Sequence, residues 1–210
     1  MYYIEKTFDN LHVAHRVFNQ QLFSCMRDNC NRDEMCRKIH GHSSLFRIGL
    51  TSDVLINDMV LDYNNIGLIK KALDMHYDHR FTICDTDPLF EFLVLRAYEE
   101  LTGENGVRFD PVNELYGGPD YNVVTVHISD EVRLKHAGNP LIELLDSFTI
   151  TNFNTTSENL AKWMYKVVEH SLKEMAEKTE DERLREILKN VRVAKVTYQE
   201  SNKSVATYSE

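Results

Sequence analysis

A cysteine and two histidines stand close together in the stretch CRKIHGHSS, at Cys36, His40 and His42. Imidazole nitrogens and thiolate sulfur are ligands that zinc prefers in proteins. An apolar run, FRIGLTSDVL, follows directly at residues 46–55 and predicts a strand that begins near the histidines. Side chains two residues apart share one face of a strand, so His40 and His42 would project together with Gly41 leaving space between them. This pattern indicates a two-nitrogen metal clamp.

A third nitrogen ligand is available in His15, which lies near the end of a predicted first strand that could pair beside the second. Three imidazoles suit zinc, and three protein ligands leave a fourth position for water or substrate, which is the catalytic arrangement. The alternative is that these histidines are ordinary polar positions on half-buried strands. The spacing H-x-H is a weak motif when it stands alone.

Two further groups of residues could take part in proton transfer or recognition. Asp78 and His79 are adjacent in DMHYDHRF, with His76 close by, and a neighbouring carboxylate can orient an imidazole and raise its basicity. Their alternative role is a charged turn after a helix. Glu200 in TYQES could accept two hydrogen bonds from the amidine-like edge of a heterocycle, or could simply be a solvated residue at a strand end.

The composition restricts the class of protein. The chain has 210 residues, enough for one core or one core with a large insertion, and a formal net charge of −9. Nucleic acids and anionic membranes need a positive field, so the charge argues against both as general partners. Glu5, Lys6 and Asp9 interrupt any secretory apolar run near the N-terminus, and no later stretch is long and apolar enough to span a membrane. We expect a cytoplasmic protein.

Hydrophobic periodicity predicts an α+β fold with mostly antiparallel strands. Strands are predicted at residues 2–8, 46–55, 78–83, 121–128, 147–153, 191–200 and 205–209. Helices are predicted after a short strand within residues 59–75, over 88–103, and over 154–175 with a charged, solvated continuation through 189. Thr155 and Glu158 have the spacing of a capping box at the start of the longest helix. We treat residues 1–210 as one domain.

Taken in order, the motifs resemble the family of 6-pyruvoyltetrahydropterin synthase and 6-carboxytetrahydropterin synthase. The motifs that carry this resemblance are A-H-R (14–16), C-x-x-x-H-G-H (36–42), L-D-Y (61–63), D-H (78–79), T-S-E-N-L-A (156–161) and Q-E-S (199–201). Each motif is weak, whereas the whole set in the right order is specific. The resemblance covers roughly residues 2–83 and 148–208, and leaves a central block at about 84–147 that looks like an insertion.

The resemblance implies a tunnelling fold (T-fold), in which an antiparallel sheet with helices on one face assembles through symmetric subunits into a barrel. Such proteins are commonly homohexamers, built as a dimer of trimers with active sites between subunits. The resemblance also implies bound Zn²⁺ and assigns three kinds of site residue, which are the zinc ligands His15, His40 and His42, the catalytic residues Cys36, Asp78 and His79, and the substrate contacts Glu200, Thr156 and Ser157.

The implied substrate is 7,8-dihydroneopterin triphosphate. Three residues separate Cys36 from His40, a spacing that resembles the carboxy-forming enzymes, which release acetaldehyde and triphosphate on the route to 7-deazaguanines such as queuosine. The alternatives are the pyruvoyl reaction and a zinc- or pterin-binding relative without activity. The departing triphosphate could be bound by Arg16, Arg37 or Lys38.

The cysteines and the central block are the main departures from the family pattern. Cys25 and Cys30 lie in a long spacer before Cys36, and either could compete as the thiol or have a separate redox or metal role, although we treat both as bystanders. None of the four cysteines forms a C-x-x-C pair, so free thiols are expected in a reducing compartment. The block at 84–147 could form a lid or alter assembly, but a helix-rich insertion outside the barrel is the simpler interpretation.

Overall fold

The computed structural model describes residues 1–20, 35–111 and 122–210, so that Cys25 and Cys30 lie outside the described residues. The strands are β1 (Tyr2–His15), β2 (His40–Ser52), β3 (Arg80–Cys84), β4 (Phe109–Pro111), β5 (Val123–Val126), β6 (Phe148–Thr151), β7 (Arg192–Ser201) and β8 (Ser204–Tyr208). The α-helices are α1 (Gly67–His76), α2 (Pro88–Phe90), α3 (Arg96–Thr102), α4 (Asp130–Lys135), α5 (Pro140–Asp146), α6 (Ser157–Lys178) and α7 (Glu182–Asn190). Short 3₁₀ turns occupy Met35–Arg37 and Tyr63–Ile66, and a π-helical segment, Glu91–Leu95, joins α2 to α3.

All of these strands form one eight-stranded sheet in the order β4-β5-β6-β3-β1-β2-β7-β8. The long strands β1 and β2 pair antiparallel, as do β2 with β7 and β7 with β8. Parallel pairing occurs where β3 lies between β1 and β6. The predicted α+β fold with mostly antiparallel strands is therefore confirmed.

The main core lies between the sheet and α6. Alternate residues of the central strands are fully buried, including Phe46 and Ile48 on β2 and Val196 on β7. This alternation arises because successive side chains of a strand point to opposite faces of the sheet. Helix α6 covers this face with Met164 and Val168. Each buried apolar side chain of this size contributes about 1.5–3 kcal/mol of transfer free energy.

The start of α6 differs from the predicted capping box at Thr155. The N-cap is Thr156, whose hydroxyl accepts a hydrogen bond from the Asn159 backbone N–H at 3.3 Å. Thr155 is fully buried instead, and its hydroxyl donates to the Arg16 carbonyl at 3.1 Å. The prediction was wrong by one residue because the tertiary contact with the segment after β1 takes the Thr155 side chain.

Two other predicted elements also need correction. The charged continuation of α6 is a separate helix, because the chain leaves helical geometry at Thr179 and Asp181 caps α7 with its carboxylate. Ile187 and Leu188 of α7 are buried, so this helix packs against the core instead of presenting only a solvated face. The short strand predicted before α1 is reduced to an isolated bridge between residues 56 and 59.

The central block builds a second apolar cluster and extends the sheet. Its helical stretch runs from Pro88 to Thr102 and is capped by Gly103, whose φ of 72° is the left-handed geometry that glycine tolerates at a helix C-terminus. Strands β4 and β5 continue the sheet beyond β6. Val94, Leu145 and Phe148 are fully or almost fully buried in this cluster. Within the described ranges, no helix is both long and apolar enough to cross a membrane.

Candidate metal and catalytic site

The pairing of β1 with β2 brings the predicted zinc ligands together. His15 lies directly opposite His40, and the next inward-facing residue of β2 is His42. Glu200 reaches the same place from β7, because β7 pairs along the other edge of β2. One ligand atom from each of His15, His40, His42 and Glu200 lies within 4.8 Å of the others, which makes this group a possible metal site.

Glu200 is in direct contact with the histidines, whereas the sequence predicted only that it would contact the substrate. Its Oε1 atom is 2.6 Å from Nε2 of His42, 3.5 Å from Nε2 of His15 and 3.9 Å from Nε2 of His40. The Ser157 hydroxyl donates to Oε2 at 2.7 Å. The interactions with His15, and then with Ser157 and His42, lower the pKa of Glu200 to about 2 although burial opposes this. The carboxylate is therefore ionised at neutral pH.

The orientation of the histidine rings suits a metal ion. Nδ1 of His15 lies 2.9 Å from the Thr155 carbonyl, and Nδ1 of His40 lies 2.7 Å from the Lys38 carbonyl. A ring that donates through Nδ1 keeps the lone pair of Nε2 for a metal. Among the described residues, the buried Nε2 atoms of the three histidines find no hydrogen-bond partner of good geometry. Burial also lowers the pKa of His42 against the attraction of Glu200, and this favours the neutral imidazole that coordination requires.

Cys36 lies in the short 3₁₀ turn that precedes β2. It is half-buried, and its carbonyl accepts a hydrogen bond of 2.7 Å from the Val17 backbone N–H. This bond ties the turn to the segment that follows His15. Within the described part of the chain, Cys36 is not one of the four residues whose ligand atoms converge.

Asp78 and His79 lie immediately before β3 and contact His12, on the opposite face of the sheet. His12 of β1, which contacts both of them, is exposed, whereas the neighbouring Val13 and the later His15 are buried on the core face. Side-chain alternation along β1 therefore separates the two groups of predicted site residues. Nδ1 of His79 is 3.1 Å from the Asp78 carboxylate. Burial alone would raise the pKa of Asp78, but hydrogen bonds from His12 and His79 lower it overall.

Two residues near this pair were missed in the sequence analysis. His12 and Ser43 lie opposite each other on β1 and β2, and their side chains are 2.8 Å apart between Nδ1 and Oγ. An open pocket of about 570 Å³ is lined by both residues together with His79. The antiparallel register of β1 and β2 could have identified these two residues, because the pairing of His15 with His40 also places His12 opposite Ser43.

The other predicted contacts have defined partners. Thr156 caps α6, and Ser157 donates a hydrogen bond to Glu200, so the start of this helix lies beside the cluster. Arg16, a candidate for the triphosphate, forms an ion pair with Asp87 of the central block, at 3.0 Å between Nε and Oδ2. The Asp87 side chain is 1% exposed, so this block supports the segment that follows His15.

The chain is similar to known proteins in sequence and in structure. A 6-carboxy-5,6,7,8-tetrahydropterin synthase from Aquifex aeolicus is 32% identical over 91 residues, which is 41% of this chain and 56% of that protein. The match thus spans just over half the length of this relative. The crystal structure of an uncharacterized protein from Wolinella succinogenes superposes with a TM-score of 0.73 at 27% identity, covering 100% of this chain and 98% of the other. The 6-pyruvoyl tetrahydropterin synthase of Caenorhabditis elegans is 18% identical, with a TM-score of 0.46 over 100% of this chain and 95% of that one.

The comparison with family models covers nearly the whole chain. Residues 3–210 match the model described as 6-pyruvoyl tetrahydropterin synthase, so the match includes the central block. The eight-stranded sheet with helices on one face agrees with the tunnelling fold expected from the sequence. The chain belongs to the 6-pyruvoyl tetrahydropterin synthase family.

Proposed function

We propose that the chain is a zinc-dependent 6-carboxy-5,6,7,8-tetrahydropterin synthase that converts 7,8-dihydroneopterin triphosphate to 6-carboxytetrahydropterin, acetaldehyde and triphosphate. The convergence of His15, His40 and His42 beside Glu200 is the observation that carries this proposal. The choice of the carboxy reaction is supported by the Cys36–His40 spacing and by the name of the Aquifex aeolicus relative. The product would be an early intermediate of 7-deazaguanine synthesis.

His15, His40 and His42 would hold the zinc ion through their Nε2 atoms. Bound zinc supplies a Lewis acid that lowers the pKa of substrate hydroxyls and stabilises developing negative charge. Glu200, kept ionised and oriented by Ser157, would accept hydrogen bonds from the N–H edge of the pterin ring. The backbone turn that contains Thr156 would lie against the same ring.

The thiolate form of Cys36 would remove a proton from a carbon atom of the substrate side chain. Asp78 and His79 would pass protons to and from the oxygen atoms of the same side chain. These two residues lie beside the exposed His12, on the face of the sheet away from the buried His15, and this supports a site assembled from more than one chain. We therefore propose that Asp78 and His79 serve the cluster of a second copy, within a homo-oligomer such as a hexamer of two trimers.

The reaction is tested by incubating the zinc-loaded protein with 7,8-dihydroneopterin triphosphate, identifying the pterin product by mass and measuring acetaldehyde in the same mixture. A carboxytetrahydropterin together with acetaldehyde is the expected result. A pyruvoyl product without acetaldehyde would assign the other reaction that the family name describes. Zinc binding without any turnover would leave only a binding role.

The composite site is tested by mixing two inactive variants, Cys36→Ala and His79→Ala, under conditions in which subunits exchange. If Cys36 and His79 of different chains form each site, about a quarter of the sites in randomly mixed oligomers regain both residues. Activity should then appear on mixing and approach that fraction of the wild-type value. A mixture that stays inactive, although exchange is shown by mass, would place both residues in the site of a single chain.

A further inference from the structure

His12 holds both members of the Asp78–His79 pair through its backbone. Its N–H donates to Oδ1 of Asp78 at 2.6 Å, and its carbonyl accepts from the His79 N–H at 2.6 Å. His79 adopts a φ of 55°, the left-handed region that is uncommon for residues other than glycine. Backbone strain of this kind persists only where the surroundings determine it, and here β1 supplies both hydrogen bonds.

The side chain of His12 also takes part in the cluster. Its ring meets the His79 ring edge-on, with centroids 5.3 Å apart, and its Nδ1 atom lies 2.8 Å from the Ser43 hydroxyl. The His79 side chain is 75% exposed, so few other contacts restrict its rotation. The His12 ring, fixed by Ser43, is therefore a surface against which the His79 ring can be oriented.

On the basis of the proposed function, we propose that His12 and Ser43 are positioning residues for the acid/base pair. Ser43 fixes the His12 ring, and the His12 ring fixes the rotamer in which His79 faces the Asp78 carboxylate. Orientation of this kind acts on the chemical step more than on substrate binding, because the substrate anchor Glu200 lies on the other face of the sheet. Neither residue is required to touch the substrate.

The test compares His12→Leu, His12→Asn and Ser43→Ala with the wild type, and uses His170→Leu on the exposed face of α6 as the matched control. The backbone of residue 12 keeps its hydrogen bonds in every variant, so only the ring is tested. We expect His12→Leu to lower kcat on the order of tenfold with little change in KM. His12→Asn, which can still hydrogen-bond Ser43 near the Nδ1 position, should retain more activity.

Coupling between the two residues gives a sharper criterion. If Ser43 acts through His12, the double variant His12→Leu/Ser43→Ala should lose no more activity than His12→Leu alone. The ring signals of His79, observed by NMR with isotope-labelled histidine, should shift in His12→Leu and in Ser43→Ala but not in His170→Leu. Unchanged kcat and unchanged His79 signals in His12→Leu would overturn the proposal, and so would losses that simply add.

The NMR measurement also separates this inference from the proposed reaction. If the wild type does not turn over 7,8-dihydroneopterin triphosphate but the His79 signals shift as expected, the proposed function fails and the positioning contact stands. If the wild type is active and His12→Leu behaves like His170→Leu in both measurements, the positioning role fails and the function stands.

Discussion

His76 provides a quantitative test of the folded structure through its response to pH. Its side chain is only 9% exposed, and within the described residues neither ring nitrogen has a hydrogen-bond partner. Burial, followed by the positive charge of Arg80, lowers the pKa of His76 from 6.5 to about 4. The folded protein therefore keeps this ring neutral at a pH where the unfolded chain already protonates it.

The sign and size of the effect follow from these two pKa values. Because the folded pKa is depressed, the stability that His76 contributes is complete above pH 6.5 and is lost as the pH falls from 6.5 towards about 4. At about 1.4 kcal/mol per pH unit, the total loss is at most about 3 kcal/mol. Between about pH 7.5 and about pH 5, the free energy of unfolding should fall by up to about 2 kcal/mol for this reason.

The measurement is urea unfolding of the wild type, of His76→Leu, and of His170→Leu as a control on an exposed histidine, at both pH values. Other groups contribute to the pH dependence of all three proteins, so the difference between variants isolates His76. We expect His76→Leu to lose about 2 kcal/mol less than the wild type on acidification. Equal losses of stability in His76→Leu and the wild type would show that the fold does not hold His76 neutral.

Three further predictions concern polar side chains near the site. Asp87→Asn should destabilise the protein by about 3 kcal/mol, because it leaves the Arg16 guanidinium unpaired, and Arg16→Met should recover part of this loss in urea unfolding. Tyr77→Phe should cost about 1–2 kcal/mol by leaving the Tyr198 hydroxyl without its 2.8 Å partner, whereas replacing both tyrosines should cost less than the two single changes added together. Thr156→Ala should lower thermal stability by about 1 kcal/mol through loss of the N-cap, and an unchanged melting temperature would contradict this.

Local patterns were sufficient to predict most elements and the histidine cluster. Alternation along β1 and β2 places His40 and His42 on one face, and the predicted pairing of these strands brings His15 to them. Within the predicted helical region at 59–75, the apolar residues at helical spacing are Ile66, Ile69 and Leu73, and all three are almost fully buried. These features depend on interactions within a strand, a helix or a neighbouring pair of strands, which the sequence encodes directly.

The remaining features depend on pairing between distant segments. The position of Glu200 beside the histidines is set by the register of β7 on β2, where Leu45 meets Gln199, and no local pattern specifies that register. The insertion of β3 between β1 and β6 brings Asp78 and His79 against the exposed His12, which the spacing of the motif does not reveal. The ion pair between Arg16 and Asp87 likewise joins segments that only the tertiary fold brings together.

The assignment of a metal centre to His15, His40 and His42 is tested most directly by zinc content. Purified wild type, His42→Ala and the control His170→Ala would be loaded with zinc, dialysed, and analysed by elemental mass spectrometry alongside circular dichroism. We expect about one zinc per chain in the wild type and in His170→Ala, and a large loss of zinc in His42→Ala with its fold unchanged. Equal zinc content in all three proteins would show that the metal binds elsewhere.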